Sequence, residues 1–226
     1  MRMDYAATLR RLGRLEEAIQ VAEACLELNM RRLGEEHNYT LSIMTTLAQV
    51  LRLTGDTERA LDLAGRVLAA APATYGAQHS LVTACEHDYA IVLRATGEYE
   101  QAYELDRRVN ERFRELLGER RRRTLSSDMS LARDLELVGD IAAAEHLLRK
   151  AKETSAQVRG IRNPRTLFGD ANLALLLRAR GETEKAAELT SQTIPALKEI
   201  LGAEHPEVVM AEEGEFIEFE MDIPDR

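Results

Sequence analysis

Five histidines are the residues of this sequence best suited to bind a metal ion. His37, His79 and His205 are separated by 42 and 126 residues, so they occupy one equivalent position of the repeat described below. Equivalent positions of stacked helical repeats lie roughly 10 Å apart, whereas the ligands of one zinc ion lie about 2 Å from it. His87 and His146 have no cysteine or carboxylate cluster at ligand spacing. We predict no metal site and a structural role for the three equivalent histidines at helix starts.

Nucleophilic and acid–base chemistry have no better support. Cys25 and Cys85 fall in helical patterns without a motif that marks a nucleophile, and no G-x-S-x-G sequence is present. Paired carboxylates such as Glu16–Glu17 and Glu35–Glu36 are expected at turns or on solvated faces. We therefore predict no catalytic residue, no cofactor and no enzyme activity. Buried free thiols suit a reducing, cytoplasmic compartment.

Charge and hydropathy exclude other classes of function. The net charge of −9 argues against general nucleic-acid binding, which needs a basic face to displace counterions from phosphates. The basic run Arg120–Arg123 is interpreted as a solvated loop beside Glu115 and Glu119, with a phosphate contact as the alternative. No apolar run reaches the ~18 residues that would span a membrane, and no signal peptide is visible. Nothing specifies a small-molecule pocket.

Two ladders of glycines reveal an internal repeat of 42 residues. The first consists of Gly13, Gly55, Gly97, Gly139 and Gly181, and the second of Gly34, Gly76, Gly118, Gly160 and Gly202. A leucine lies four residues before each first-ladder glycine, with an alanine seven before and another five after. This pattern predicts a first helix ended by glycine and a second helix whose alanine faces that of the first.

The repeat and the composition predict an all-α protein, because tryptophan is absent and aromatics make up only 4% of the residues. The helices are predicted near 3–12, 14–33, 39–54, 56–72, 81–96, 98–117, 123–138, 140–159, 165–180 and 182–201, with a capping helix near 205–217. Pro72 is expected to end its helix early, and Pro195 to kink its helix. The repeats span about 1–34, 35–76, 77–118, 119–160 and 161–202 in a single array, followed by a cap and acidic tail at 203–226.

Particular motifs in these repeats point to a known family. The stretches 13–18 (GRLEEA) and 97–102 (GEYEQA) resemble the tetratricopeptide G-x-Y/L-x-x-A turn, and 201–206 (LGAEHP) resembles an element of the 42-residue variant found in kinesin light chains. The resemblance implies a right-handed superhelical solenoid of five hairpins plus the capping helix. The sequence, rich in arginine and alanine, also resembles the C-terminal sensor arrays of actinobacterial STAND-type signalling ATPases, whose P-loop motif is absent from this sequence.

In tetratricopeptide arrays the first helices line a concave groove that binds the ligand. The residues that this resemblance places in a peptide-binding groove are Arg10, Gln49, Arg52, His87, Ile91, Arg94, Met129, Arg133, Asn172 and Arg178. Arginine recurs three residues before four of the five first-ladder glycines, and guanidinium groups pair bidentately with carboxylates. An acidic and hydrophobic peptide is therefore the expected ligand. The alternative is that each arginine pairs with a glutamate on its own hairpin, such as Glu16, Glu58, Glu100 or Glu184.

Two functions follow from these features. The leading hypothesis is a protein-binding module, serving as the sensor or adaptor of a larger signalling protein. The second is self-assembly into a homo-oligomer through the array ends or the acidic tail. Residues 215–224 alternate apolar and acidic side chains, which indicates an edge strand or an extended segment rather than a helix. Docking of this segment in a basic groove of its own chain or of a neighbour is a further hypothesis.

Overall fold

The computed structural model describes residues 3–219, in which eleven α-helices occur and no strand. The helices are α1 (Met3–Arg11), α2 (Leu15–Leu33), α3 (Asn38–Leu53), α4 (Thr57–Tyr75), α5 (Ser80–Thr96), α6 (Tyr99–Leu117), α7 (Arg122–Leu137), α8 (Ile141–Arg159), α9 (Pro164–Ala179), α10 (Thr183–Leu201) and α11 (Pro206–Glu213). The all-α prediction is confirmed. The boundaries predicted for the ten hairpin helices lie within one residue of those observed, except at the end of α4.

Pro72 does not end α4, so that prediction was wrong. The helix continues to Tyr75, and the carbonyl of Pro72 accepts a hydrogen bond from the Gly76 amide at 3.0 Å. The Thr74 hydroxyl stabilises the last turn: it lies 2.7 Å from the Glu36 carbonyl, outside the helix, and 3.1 Å from the Ala70 carbonyl within it. These contacts offset the one backbone bond that proline cannot make. Pro195 also lies inside a continuous helix, α10.

The described residues divide into two compact units, 3–112 (unit 1) and 113–219 (unit 2), with the division inside α6. In both units the alanines predicted to close the hairpins are at most 3% exposed: Ala6, Ala18, Ala48, Ala60, Ala90, Ala102, Ala132, Ala144, Ala174 and Ala186. Small side chains at these positions let the two helices of a hairpin approach closely. Each unit has its own apolar core, and the largest core side chains in unit 2 include Phe113 and Phe168.

Helix ends follow the predicted turn chemistry. All ten glycines of the two ladders have positive φ, between +71° and +96°. At the starts of α3 and α5, the Nδ1 atoms of His37 and His79 accept hydrogen bonds from the amides of Tyr39 and Leu81, at 3.2 and 3.1 Å. They satisfy amides that have no partner within the helix. The structural role predicted for the three equivalent histidines is confirmed for these two, whereas His205 begins α11 without a capping bond from its side chain.

Candidate functional site

The first helix of the last full hairpin, α9, carries the side chains at the centre of the candidate site. Asn163 caps this helix by accepting the Arg165 amide at 3.1 Å, and Pro164 occupies the first turn, where its missing amide costs nothing. Arg165, Phe168 and Asn172 follow at spacings of three and four residues, which place them on one helix face. Asn172 is fully buried.

The chain returns to this face after α11. Gly214 ends α11 in the left-handed conformation, with φ +78°, and the amide of the next residue, Glu215, bonds to the Met210 carbonyl at 2.9 Å. Residues 215–219, here called the tail segment, contain no regular secondary structure. Phe216, Ile217 and Phe219 of this segment are 7%, 1% and 4% exposed. The tail segment is therefore docked against unit 2 in a non-helical conformation.

Asn172 holds the tail segment by its backbone. Its Nδ2 donates to the Ile217 carbonyl at 2.9 Å, and its Oδ1 accepts from the Ile217 amide at 2.8 Å. A carboxamide has one donor group and one acceptor, so it matches both backbone groups of a single residue. The contact therefore recognises a peptide chain without depending on the side chain at that position. Both bonds are buried, where an unpaired partner would be costly.

The aromatic residues of the tail segment lie under arginines. The Arg165 Cζ atom is 4.2 Å from the centre of the Phe219 ring, and the Arg133 Cζ atom is 5.2 Å from that of Phe216. Both distances suit cation–π attraction. Phe219 also packs against Phe168, with ring centres 5.9 Å apart. Together Met129, Arg133, Arg165, Phe168 and Asn172 form what we call the unit-2 groove.

Phe219 lines a crevice between α7, α8 and α9. The other residues of this crevice are Leu125, Ser126, Met129, Leu148, Ala151, Lys152, Ser155, Arg159, Arg165 and Gly169. At its rim, burial lowers the pKa of Arg159, and the neighbouring Arg122 lowers it further. Within residues 3–219, the Arg159 Nε atom has no hydrogen-bond partner. The rim therefore presents positive charge next to an apolar slot.

The predicted groove residues of unit 2 gather around the tail segment. Met129, Arg133 and Asn172 belong to the unit-2 groove. Arg178 is exposed, and its Nη1 lies 3.6 Å from the position that a Cβ atom on Gly214 would occupy. Arg165 and Phe168 were missed by the sequence analysis, because they lie one to two turns before the predicted positions on α9.

In unit 1 the predicted residues separate into two groups. Gln49, Arg52 and Ile91 line one crevice between α3, α4 and α5, together with Asp88, which occupies the position equivalent to Asn172. Gln49 is 4% exposed, and its Nε2 has no hydrogen-bond partner within the described part of the chain. This crevice resembles the unit-2 groove in its position on the repeat, but a carboxylate replaces the carboxamide. Arg10 lies half-buried on α1.

His87 and Arg94 belong instead to a buried ionic cluster that joins α5 to α6. The His87 Nδ1 is 3.0 Å from Asp106 Oδ1, and Arg94 Nη1 donates to Asp106 Oδ2 at 2.7 Å. Burial acts to lower the pKa of His87, but the Asp106 carboxylate outweighs it and the pKa is raised. Burial likewise acts to raise the pKa of Asp106, but His87 and Arg94 hold it below its ordinary value. For Arg94, the partner lies on its own hairpin, as the alternative predicted, but it is Asp106 and not a glutamate such as Glu100.

Comparisons with known proteins identify the repeat. A family profile described as tetratricopeptide repeat matches residues 1–73 and 82–157, and a second one with the same description matches residues 171–207. The chain belongs to the tetratricopeptide repeat family. None of the curated protein sequences matches it.

Solved structures of tetratricopeptide proteins share the fold. One is a structure of TPR-like repeats, nearly identical to one another, from a kinesin light chain of Podosopora anserina. It is 24% identical to this chain, with a TM-score of 0.67 over 88% of this chain and 95% of that one. A Rap protein complexed with Competence and Sporulation Factor is 16% identical, with a TM-score of 0.74 over 88% of this chain and 53% of that one. BtubC from P. vanneervenii is also 16% identical, with a TM-score of 0.67 over 88% and 84%. At these identities the likeness establishes the fold alone.

Between residues 3 and 219, no helix combines the length and apolar character needed to cross a lipid bilayer. In the same range, no group of three or more histidine, cysteine or acidic side chains is arranged to hold a metal ion.

Proposed function

We propose that this tetratricopeptide array is a protein-binding module whose unit-2 groove binds an extended segment of a partner protein. The observation that carries the proposal is the pair of hydrogen bonds between Asn172 and the backbone of Ile217. A groove that already holds one extended segment by its backbone has the geometry to hold another. The Rap protein, which shares the fold, was crystallised in complex with Competence and Sporulation Factor, and this supports a ligand-binding use of such arrays.

The wider role that fits this activity is that of a sensor or adaptor, non-enzymatic and cytoplasmic, within a larger signalling protein. The resemblance of the repeats to signalling ATPase arrays supports the signalling context. The two cysteines, Cys25 and Cys85, are buried and form no disulfide, which suits a reducing compartment. Gln49, Arg52 and Ile91 form a second candidate contact surface in unit 1, whereas we assign His87 and Arg94 to the structure.

Site-specific photocrosslinking tests the proposal. A photoreactive phenylalanine replaces Arg133, which is 31% exposed at the edge of the groove, and in a control variant it replaces Glu153, which is exposed on α8. Both full-length variants are irradiated in lysate of the native host. A partner protein crosslinked from position 133 and not from position 153 supports the groove. Equal labelling from both positions, or labelling from position 153 alone, would remove the groove from consideration.

Self-assembly is the second candidate function, and the docked tail segment favours it. Only Gly214 and Glu215 connect α11 to Phe216, and a short hinge of this kind lets identical segments exchange between copies. Exchange predicts a dimer whose fraction rises with concentration, and a Phe216→Ser/Ile217→Ser/Phe219→Ser variant that stays monomeric. Light scattering that finds wild-type monomers at every concentration would refute this function.

A further inference from the structure

The tail segment contacts the unit-2 groove through three of its residues. Phe216 lies under Arg133, Ile217 is buried at the Asn172 contact, and Phe219 enters the crevice beneath Arg165. Glu218, between Ile217 and Phe219, is half-buried. Because two anchors are aromatic and lie beneath guanidinium groups, a purely aliphatic segment would lose the cation–π contacts. The order aromatic, aliphatic, acidic, aromatic is thus the pattern that this groove accommodates.

Charge around the groove favours an acidic segment. Arg133 and Arg165 contact the two aromatic rings, and Arg122 lies close enough to Arg159 at the crevice rim to disfavour its charge. Two neighbouring guanidinium groups are stabilised by an anion between them. The protein as a whole is acidic, with a net charge of −9, whereas the residues that line the crevice include Lys152, Arg159 and Arg165 and no acidic side chain. Glu136 and Asp170 pair with Arg133 and Lys152.

We propose that the unit-2 groove is a receptor for protein segments of the order aromatic–aliphatic–acidic–aromatic, and that the chain's own tail segment is its resident ligand, which a partner segment must displace. This inference rests on the proposed function and adds the ligand class and the regulation of the same site. The groove is closed in cis, and a partner binds when its segment outcompetes residues 215–219.

The short connection sets the strength of this competition. A tether of two residues gives the tail segment an effective concentration of about millimolar. For a groove that binds the free peptide with a Kd of about 10 µM, roughly one chain in a hundred is then open. Opening the tail is therefore expected to strengthen binding of a competing segment by about 100-fold.

Fluorescence anisotropy with a labelled peptide tests the proposal on the full-length chain. The probe has the sequence of residues 213–220, and a scrambled peptide of the same composition is the control. The tail is opened by Phe216→Ser/Ile217→Ser/Phe219→Ser. Because these side chains also stabilise unit 2, the single change Phe219→Ser is a milder opening variant, and helical circular dichroism checks the fold of each.

The expected result is binding of the probe to an opened variant, about 100-fold weaker binding to the wild type, and little binding of the scrambled peptide. Adding Asn172→Ser to the opened variant removes two hydrogen bonds and is expected to weaken the probe about ten- to a hundredfold. Serine is already present at the equivalent position of the preceding hairpin, Ser130, where it is fully buried. Asn29→Ser on α2, where the carboxamide bonds only to Cys25 of its own helix, is the matched control.

Two results would overturn the inference. Equal affinity of wild type and opened variant would show that the tail segment does not occupy the groove in cis. No binding to a folded opened variant would show that the ligand class is wrong. A partner that still crosslinks from position 133 in that case would leave the proposed function standing, so the two failures are distinguishable.

Discussion

Replacing Asp106 with asparagine is expected to destabilise unit 1 strongly. Asp106 is fully buried and lies between His87 and Arg94, which are themselves 0% and 6% exposed. Asparagine keeps the size of the side chain but removes the negative charge. The buried Arg94 guanidinium then loses the charge of Asp106, and it cannot lose its proton. The attraction to the Asp106 carboxylate that raises the pKa of His87 is lost as well.

The magnitude follows from the burial of the cluster. Breaking a buried ion pair by removing one partner typically costs about 3–5 kcal/mol, because the remaining charge is uncompensated. That is a large part of the roughly 5–15 kcal/mol that stabilises a typical protein. Glu104→Gln, on the same helix, is the matched control: Glu104 pairs with Arg107, and its side chain is 57% exposed. Exposed pairs contribute about 1 kcal/mol or less.

Urea denaturation followed by circular dichroism measures both variants, and hydrogen exchange locates the loss. We expect Asp106→Asn to lower the free energy of unfolding by about 3 kcal/mol or more, with faster amide exchange in α5 and α6. Glu104→Gln should change it by less than about 1 kcal/mol. If Asp106→Asn proves no more destabilising than its control, the buried cluster does not stabilise the α5–α6 hairpin and the reasoning fails.

Three further predictions concern other parts of the molecule. The pKa of His87 in the folded protein lies above its unfolded value of about 6.5. The His87 contribution to stability is therefore complete below about pH 6.5 and is lost as the pH rises through the folded pKa. Unfolding curves measured across this pH range should show the loss in wild type and not in His87→Gln. Gly97→Ala should destabilise the protein by about 1–2 kcal/mol in thermal unfolding, because the φ of Gly97 is +88°; no atom lies near enough to clash with a new Cβ, so the cost comes from the backbone alone. Gly65→Ala inside α4 should be neutral or stabilising, because a Cβ there would make an ordinary contact with Tyr89 at 3.6 Å. Phe219→Ala should cost unit 2 about 3 kcal/mol and raise the amide exchange of α9, since the ring is 4% exposed; unchanged exchange would contradict its packing.

The sequence predicted the helices well because glycine, alanine and leucine report local and nearest-neighbour geometry. Each glycine of the two ladders takes the positive φ expected at the end of a helix. The exception was Pro72, whose helix is held by Thr74 through a contact with Glu36, 38 residues away. Such a contact across a hairpin leaves no mark on the local pattern. Asn172 and Arg133 were predicted as groove residues from their positions in the repeat, and both contact the tail segment.

Other features of the site could not be predicted, because they depend on how deeply a side chain is buried and on the path of the chain after α11. The repeat pattern assigned His87 and Arg94 the same positions as Met129 and Arg178, but Asp106 on α6 draws the first two into the core. The alternation of residues 215–224 indicated a segment able to dock. The place where it docks depends on where α11 ends, at Glu213 rather than near residue 217. Arg165 and Phe168 become part of the groove only because Phe219 of the tail segment packs against them.

Hydrogen exchange at a single amide tests the central claim most directly, because the account depends on Asn172 holding an extended segment by its backbone. The Ile217 amide bonds to Asn172 Oδ1 at 2.8 Å and lies in the tail segment, which has no regular secondary structure. The account predicts slow exchange of this amide in wild type and in Asn29→Ser, and fast exchange in Asn172→Ser. Fast exchange in the wild type, or protection that persists in Asn172→Ser, would contradict it.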